Sequence, residues 1–344
     1  MKQKLVLWGG AGLLLLLLSV VASLSLGSAR LSVGEVWRIL FHQLPVVGGA
    51  VPATWPESSE KIVLDVRFPR VVLGVLIGAS LSLAGAGFQG VLRNPLADPY
   101  TLGVASGASV GAAFLILSGL QFALLGPWTV PVVAFATGLV SLWIVFRLAR
   151  TQGTFRTETV ILSGVVVSAF FGAIVSFMVS LSNKVINEIV FWLMGSLAMR
   201  GWSFSAVVLP FLAAAFAVLA GFARALNLLD LGERQAAHSG VRVDRMQRIV
   251  LAASTLVTAA AVSVSGVIGF VGLIVPHLVR LAVGPDYRLI IPLSVLFGGI
   301  YVLWADTLAR TLLSPVEIPL GVVTAFLGAP FFAYLLARHK KKGV

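Results

Sequence analysis

Residues 65–111 read DVRFPRVVLGVLIGASLSLAGAGFQGVLRNPLADPYTLGVASGASVG, and the reading of this stretch decides the fold. Arg67 and Arg70 bracket a Phe-Pro pair at its start. A long apolar run studded with Gly, Ala and Ser follows, then a short polar loop with two prolines and a second small-residue run. A run of that length is a membrane-spanning helix, since roughly 20 residues at 1.5 Å each cross a hydrocarbon core of about 30 Å. The whole chain repeats the pattern: 58% of its 344 residues are hydrophobic and 11% are charged, with a mean hydropathy of +1.01. Soluble domains carry about 25% charged residues. Spanning strands would be short and strictly alternating, which these runs are not. The expected fold is an all-α polytopic membrane protein forming a single transmembrane domain over residues 1–344.

Several classes are excluded at once. Zero cysteines rule out disulfides, thiol catalysis and thiolate metal sites. The four histidines show no ligand spacing, so neither a metal nor another cofactor is expected. His277, the one histidine inside an apolar run, reads as a structural hydrogen-bonding residue. There is no GxxxxGK[ST] phosphate loop, no HExxH and no Ser-His-Asp pattern, so the chain does not read as an enzyme. The net charge of +12 needs no nucleic acid, because orientation in the bilayer is the first explanation for Lys and Arg in such a chain.

Working outward from residues 65–111, spans are expected at about 5–26, 68–92, 101–120, 128–149, 158–181, 203–223, 289–309 and 318–337. The first follows Lys2 and Lys4 and reads as an uncleaved span, its apolar part being too long for a signal peptide. SVGEVWRILFHQL, at 32–44, reads as an amphipathic helix, and NKVINEIVFWLMGSLAMRG, at 183–201, as a surface or re-entrant helix too short to cross. Residues 249–283 are too long for one span, and Gly266, Gly269 and Gly272 allow a tight break. Two spans there bring the total to ten and place the Arg-rich 224–248 segment and the RHKKKGV tail on the same side.

The charges agree with this layout. The side holding both termini gains Lys2, Lys4, Arg93, Arg147, Arg150, Arg156, Arg224, Arg234, Arg242, Arg245, Arg248, Arg280, Arg288, Arg338, Lys340, Lys341 and Lys342, 17 cations against six acids. The other side holds Arg30, Arg38, Lys61, Arg67, Arg70, Lys184, Arg200 and Arg310, eight cations against seven acids. The positive-inside rule makes the first side cytoplasmic.

The outward arginines carry two readings. Arginines at span ends anchor by reaching to the headgroups, and Asp306 sits one turn from Arg310 for an intrahelical pair. The alternative is planar, bidentate recognition of a partner's carboxylates. The 224–248 segment is likewise either a solvated basic face or a pair of short helices for a partner's groove. No mid-span carboxylate or Lys has an obvious relay partner, which argues against an ion-coupled secondary transporter.

RFPR at 67–70, GAGFQGVLRNPLADPYTLGVASGA at 85–108, GFVGLIVPHLVR at 269–280 and EIPLGVVTAFLGAPFF at 317–332 together resemble the FecCD-type permeases. These are the membrane subunits of ABC importers for ferric siderophores, haem and cobalamin. The resemblance implies ten spans per subunit, a homodimer or close heterodimer with an axial path, two cytoplasmic ATPase subunits and an external substrate-binding (lipo)protein, all in the cytoplasmic (inner) membrane. It implies that Arg67, Arg70 and Arg310 receive acidic residues of the binding protein. LGERQAAHSGV at 231–241 is similar to the family's ATPase-coupling element, through Leu231, Gly232, Glu233, Ala236, Gly240 and Val241. TQGTFRTE at 151–158 falls where the family narrows its cytoplasmic gate, which nominates Thr154 and Phe155. FWLMGSL at 191–197 is similar to the outer-gate helix and nominates Trp192, Met194 and Gly195.

Overall fold

The computed structural model describes residues 2–27, 31–45, 48–151, 154–155, 157–182 and 184–340. Arg30, Arg156, Lys341 and Lys342 lie outside the described residues. In chain order the helices are α1 (Lys2–Ser25), α2 (Val33–His42), α3 (Glu57–Lys61), α4 (Phe68–Leu92), α5 (Val104–Leu117), α6 (Thr129–Leu148) and α7 (Thr157–Leu181). They continue with α8 (Ile186–Leu193), α9 (Trp202–Asp230), α10 (Glu233–His238), α11 (Val243–Ser265), α12 (Val271–Val283), α13 (Tyr287–Thr311) and α14 (Leu320–Lys340). A π-helical stretch, Ile62–Arg67, joins α3 to α4. Among the described residues the strands are β1 (Arg150–Thr151) and β2 (Thr154–Phe155), an antiparallel pair.

Seven of these helical stretches are long and apolar enough to cross a membrane. Three further apolar helices, Val104–Leu117, Val271–Val283 and Leu320–Ala333, are shorter. Each span expected from sequence coincides with one of these helices, and the run 249–283 is divided between α11 and α12. Two boundaries differ. Helix α9 continues to Asp230 and α11 starts at Val243, so the 224–248 segment is mostly rod, with residues 231–242 between. The reason is packing: Leu226, Leu229, Met246 and Val250 keep helical spacing and are buried.

Helix α4 forms the centre, with 83% of its apolar window buried, against 11% for α1 and 28% for α7 and α9. Its small residues explain the position, since helices without bulk can bring their backbones together. A Cβ on Gly78 would collide with the Gly298 carbonyl of α13, and one on Gly85 with the Gly272 carbonyl of α12. From the other side, a Cβ on Gly272 would sit 2.8 Å from the Leu81 carbonyl. The outer helices keep apolar faces open, as Leu13, Leu17, Phe170 and Phe177 show.

Helices α5 and α12 both begin inside the bundle. A 3₁₀ turn, Pro99–Leu102, precedes α5, and Phe270 caps α12 in the left-handed region (φ 68°). Tyr100 ties the two breaks: its hydroxyl donates to Ile268 O at 2.9 Å and accepts from Ile268 N at 3.2 Å. This satisfies main-chain groups that a helix break leaves open in an apolar setting.

The charge clusters gather at opposite ends. Lys4 reaches Val283 O, Arg93 meets Glu233, and Arg280 meets Asp230 at one end. Arg67 reaches Leu24 O and Arg70 meets Asp306 and Glu317 at the other. The grouping matches the two faces assigned from sequence.

The central packing is directly testable. Gly85→Ala is expected to lower the thermal transition in detergent, by overpacking worth about 1–3 kcal/mol. Gly10→Ala, where a Cβ meets nothing within 4 Å, is expected to leave the transition unchanged or raise it. Equal behaviour of the two variants would refute the close α4–α12 contact.

Candidate functional site

At the arginine end, Arg70 projects from the first turn of α4 into two carboxylates. Its Nε donates to both Asp306 oxygens at 3.0 and 3.1 Å, and Nη2 donates to Asp306 Oδ1 at 2.9 Å. Nη1 and Nη2 donate to the Glu317 oxygens at 2.9 and 3.0 Å. One guanidinium is thus shared between a buried and a part-exposed acid, each held in a two-pronged geometry. Arg310 lies one turn from Asp306, with Nε 3.5 Å from its Oδ2, and its Nη2 donates to Ser23 O and Ser23 Oγ. Arg67 donates to Leu24 O at 3.0 Å.

The sequence placed these arginines at an open mouth. In the structure Arg67, Arg70 and Arg310 are 4, 9 and 4% exposed. The end of α1 covers Arg67 and Arg310 through Leu24 and Ser23, and Gly27 just beyond it packs so closely on Arg67 that a Cβ there would lie 2.6 Å from its Nη2. The expected Asp306–Arg310 pair exists, but Asp306 is held chiefly by Arg70. Glu317, which the sequence reading had not singled out, is the part of the cluster nearest solvent, its side chain 32% exposed.

The two sets of gate residues do not meet. Thr154 and Phe155 form β2, on the turn before α7, and their side chains lie outside the description. Trp192, Met194 and Gly195 lie beyond the far end of α7, a helix about 37 Å long at 1.5 Å per residue. The end of α8 is fastened to two other elements through the backbone. Ser196 N donates to Ser265 O at 2.8 Å, Leu320 N to Gly195 O and Gly321 N to Met194 O, both at 2.9 Å. The contact is close enough that a Cβ on Gly195 would lie 2.7 Å from Val267 O. Helix α8, the break before α12 and the start of α14 therefore share one junction.

At the opposite end the 231–241 element forms the short helix α10. Gly232 at φ 116° starts it and Gly240 at φ 84° ends it, both in backbone that side-chain-bearing residues avoid. Ala236 is fully buried, and Val241 N donates to Ala236 O at 3.1 Å. Glu233 faces Arg93 at 3.4 Å and Gln247 at 3.4 Å, which links the RNPLADP turn to α10. Leu231 projects outward, 68% exposed. Asn227 on α9 donates to Asp286 Oδ1 at 2.7 Å and accepts from Tyr287 N at 2.8 Å. Arg288 hydrogen bonds hold the Asp286 carboxyl down to about 2, so it stays ionised at working pH. Asn227 and Asp286 escape sequence reading because they lie 59 residues apart.

A bundle of apolar helices with a buried ion cluster at one end and a glycine-capped polar helix at the other is a multi-pass membrane protein. The FecCD transport family model matches residues 15–338, and the chain belongs to that family. The chain is 42% identical over 333 residues to YvrB, an uncharacterized ABC transporter permease protein of Bacillus subtilis (strain 168), covering 96% of this chain and 94% of that one. It is 43% identical over 340 residues to the cobalamin import system permease protein BtuC of Halobacterium salinarum, covering 93% and 88%. Its fold is similar to a solved structure of an ABC transporter assigned to the metal-chelate type, in an inward-facing conformation. The TM-score is 0.81, with 32% identity over 95% of this chain and 98% of that one. The chain is therefore a permease subunit of an ABC importer.

The buried cluster sets an expectation of its own. Asp306→Asn leaves Arg70 and Arg310 short of a compensating charge, which typically costs about 3–5 kcal/mol. A marked fall in the thermal transition is expected, and a smaller one for Glu317→Gln at the rim. A thermal transition unmoved by Asp306→Asn would refute a structural role for the cluster.

Proposed function

We propose that this chain carries a metal chelate, such as a ferric siderophore, haem or a corrinoid, across the cytoplasmic membrane. Two copies form the transport unit, ATP is hydrolysed on separate subunits, and an external binding protein delivers the chelate. Ten helices cross, with both termini in the cytoplasm. The observation that carries the reading is the chemical contrast between the ends. One end bears Leu231 and the glycine-capped α10 beside a basic face, which suits a groove on an ATPase subunit. The other bears the arginine cluster with a part-exposed carboxylate at its rim.

Burial changes how docking would work. A partner's carboxylate reaches Arg70 by exchanging with Glu317, the exposed member of the pair. Arg67 and Arg310 then act from beneath, adding positive charge and fixing the end of α1. An ion-coupled secondary transporter is the competing class. It is disfavoured because Asp306, the least exposed carboxylate among the described residues, is committed to two arginines.

In the assembled transporter, Leu231→Asp is expected to reduce ATP-driven uptake by at least about tenfold without moving the thermal transition, because it charges an exposed apolar contact. Glu317→Gln is expected to tighten attachment of the binding protein and to leave it sensitive to salt. Uptake indifferent to Leu231→Asp, or driven by a proton gradient without ATP, would refute the importer reading.

The absence of cysteine allows a clean test of orientation. A single Met199→Cys, at a site 92% exposed, should react with an impermeant maleimide in intact cells. A single Arg242→Cys should react only after permeabilisation, and the reverse pattern would invert the topology.

A further inference from the structure

Among the described residues, a cavity of about 730 Å³ opens between the end of α5, the start of α6, α8 and the segment leading to α9. Its walls include Phe122, Phe191, Trp192, Glu188, Ser265 and Arg200. Its size falls within the ~300–1,000 Å³ of small-molecule sites, which are mostly apolar with a few convergent polar groups. It lies at the arginine end, because Trp202, two residues beyond Arg200, donates its indole N–H to Leu64 O.

Two donors in its walls have no acceptor. Arg200 Nε and Trp192 Nε1 are both buried, and neither makes a hydrogen bond among the described residues. The contact of the Arg200 guanidinium is with the ring of Phe204, 4.9 Å away, which balances little of its charge. Burial accordingly lowers the pKa of Arg200. Glu188 lines the same cavity but is exposed and forms no ion pair with it. A guanidinium whose Nε is buried without a counter-ion is costly, and an anion entering the cavity would complete it. This differs from the Arg70 cluster, whose carboxylates are already in place.

We propose that this cavity is a cargo subsite that takes the carboxylate of an anionic metal chelate. Arg200 binds the carboxylate, Trp192 Nε1 donates a second hydrogen bond, and Phe122 and Phe191 cover the apolar body of the chelate. The inference rests on the importer reading and narrows it, because a permease with such a subsite prefers carboxylate-bearing chelates over neutral ones. Glu188, at the mouth, repels the same anion and favours its release.

The test uses the full chain in nanodiscs of phosphatidylcholine, with two probes: haemin, which carries two carboxylates, and ferrichrome, a neutral hydroxamate chelate. Arg200→Met is expected to weaken haemin binding by about tenfold or more, as loss of a charge-assisted hydrogen bond does. Arg200→Lys should restore part of it, Glu188→Gln should tighten it, and ferrichrome should be indifferent to all three. Glu188→Gln keeps the test open should Arg200→Met fail to fold. Haemin binding that ignores both positions, equal losses for both probes, or no haemin binding by the native chain would overturn the subsite. Native mass spectrometry in discs containing phosphatidylglycerol separates the other source of an anion. Loss of bound phosphatidylglycerol in Arg200→Met with haemin affinity intact would assign the cavity to a lipid headgroup and overturn the proposal. Stimulation of the ATPase by the binding protein, measured on the same variants, reports the importer reading separately. It should persist in Arg200→Met, and its absence from the native assembly would refute that reading instead.

Discussion

The structure depends on the absence of side chains along α4. Where Gly78 and Gly85 face Gly298 and Gly272, backbones meet at distances that admit no Cβ. Lipid tails are as apolar as leucine, so burial of oil alone cannot hold helices together in a bilayer. Close backbone contact supplies dispersion attraction over a long seam instead. This places α4 in the middle with α9, α11, α12 and α13 around it. It also lets Tyr100 reach the main chain of the α11–α12 break and Gln89 the carbonyls of the first turn of α12.

With the centre fixed by packing, polar residues are free to serve the ends. Asp306 at 1% exposure would be prohibitive in hydrocarbon by itself, and Arg70 and Arg310 make it tolerable. The cluster joins α1, α4, α13 and the segment before α14, so it closes one end of the bundle. At the other end Arg93, Glu233, Asp230 and Arg280 do the same with more exposed pairs, each worth less. One end is a buried lock and the other a solvated one, consistent with partners that bind differently at the two faces.

Much of this was legible in the sequence. Apolar run length marked every long helix, the glycines at 266–272 marked the division of 249–283, and charge bias sorted the two ends. What composition could not show was depth. Arg67, Arg70 and Arg310 look like mouth residues because they flank apolar runs, yet the end of α1 folds over Arg67 and Arg310, and Arg70 is buried between two carboxylates. No local signal predicts that cover, since it depends on where a helix some 40 residues earlier ends. Glu317 and Arg200 escaped notice for the converse reason. Each is one polar residue in a short connection, and its meaning comes only from what lies opposite. The LGERQAAHSGV motif was easier because it folds as a local unit, through glycines whose backbone angles other residues avoid.

Helix α12 links these separate features. Its start emerges from the junction where Gly195, Gly266 and Gly321 bring α8, the α11 break and α14 into backbone contact. Its first turn lies against Gly85 of α4, and its last turn carries Arg280 to Asp230 on α9, next to α10. Thirteen residues therefore run from that junction, past the central packing seam, to the end of α9 that leads into α10. Neither of its contacts with neighbouring backbones can stretch far, because glycine seams have no flexible side chains to absorb a displacement. The glycine contact thus fixes the start of α12 against α4, while Arg280 near its other end ties it to Asp230 of α9. That continuity sets the short helix directly against α4, the centre of the fold, and not at the edge.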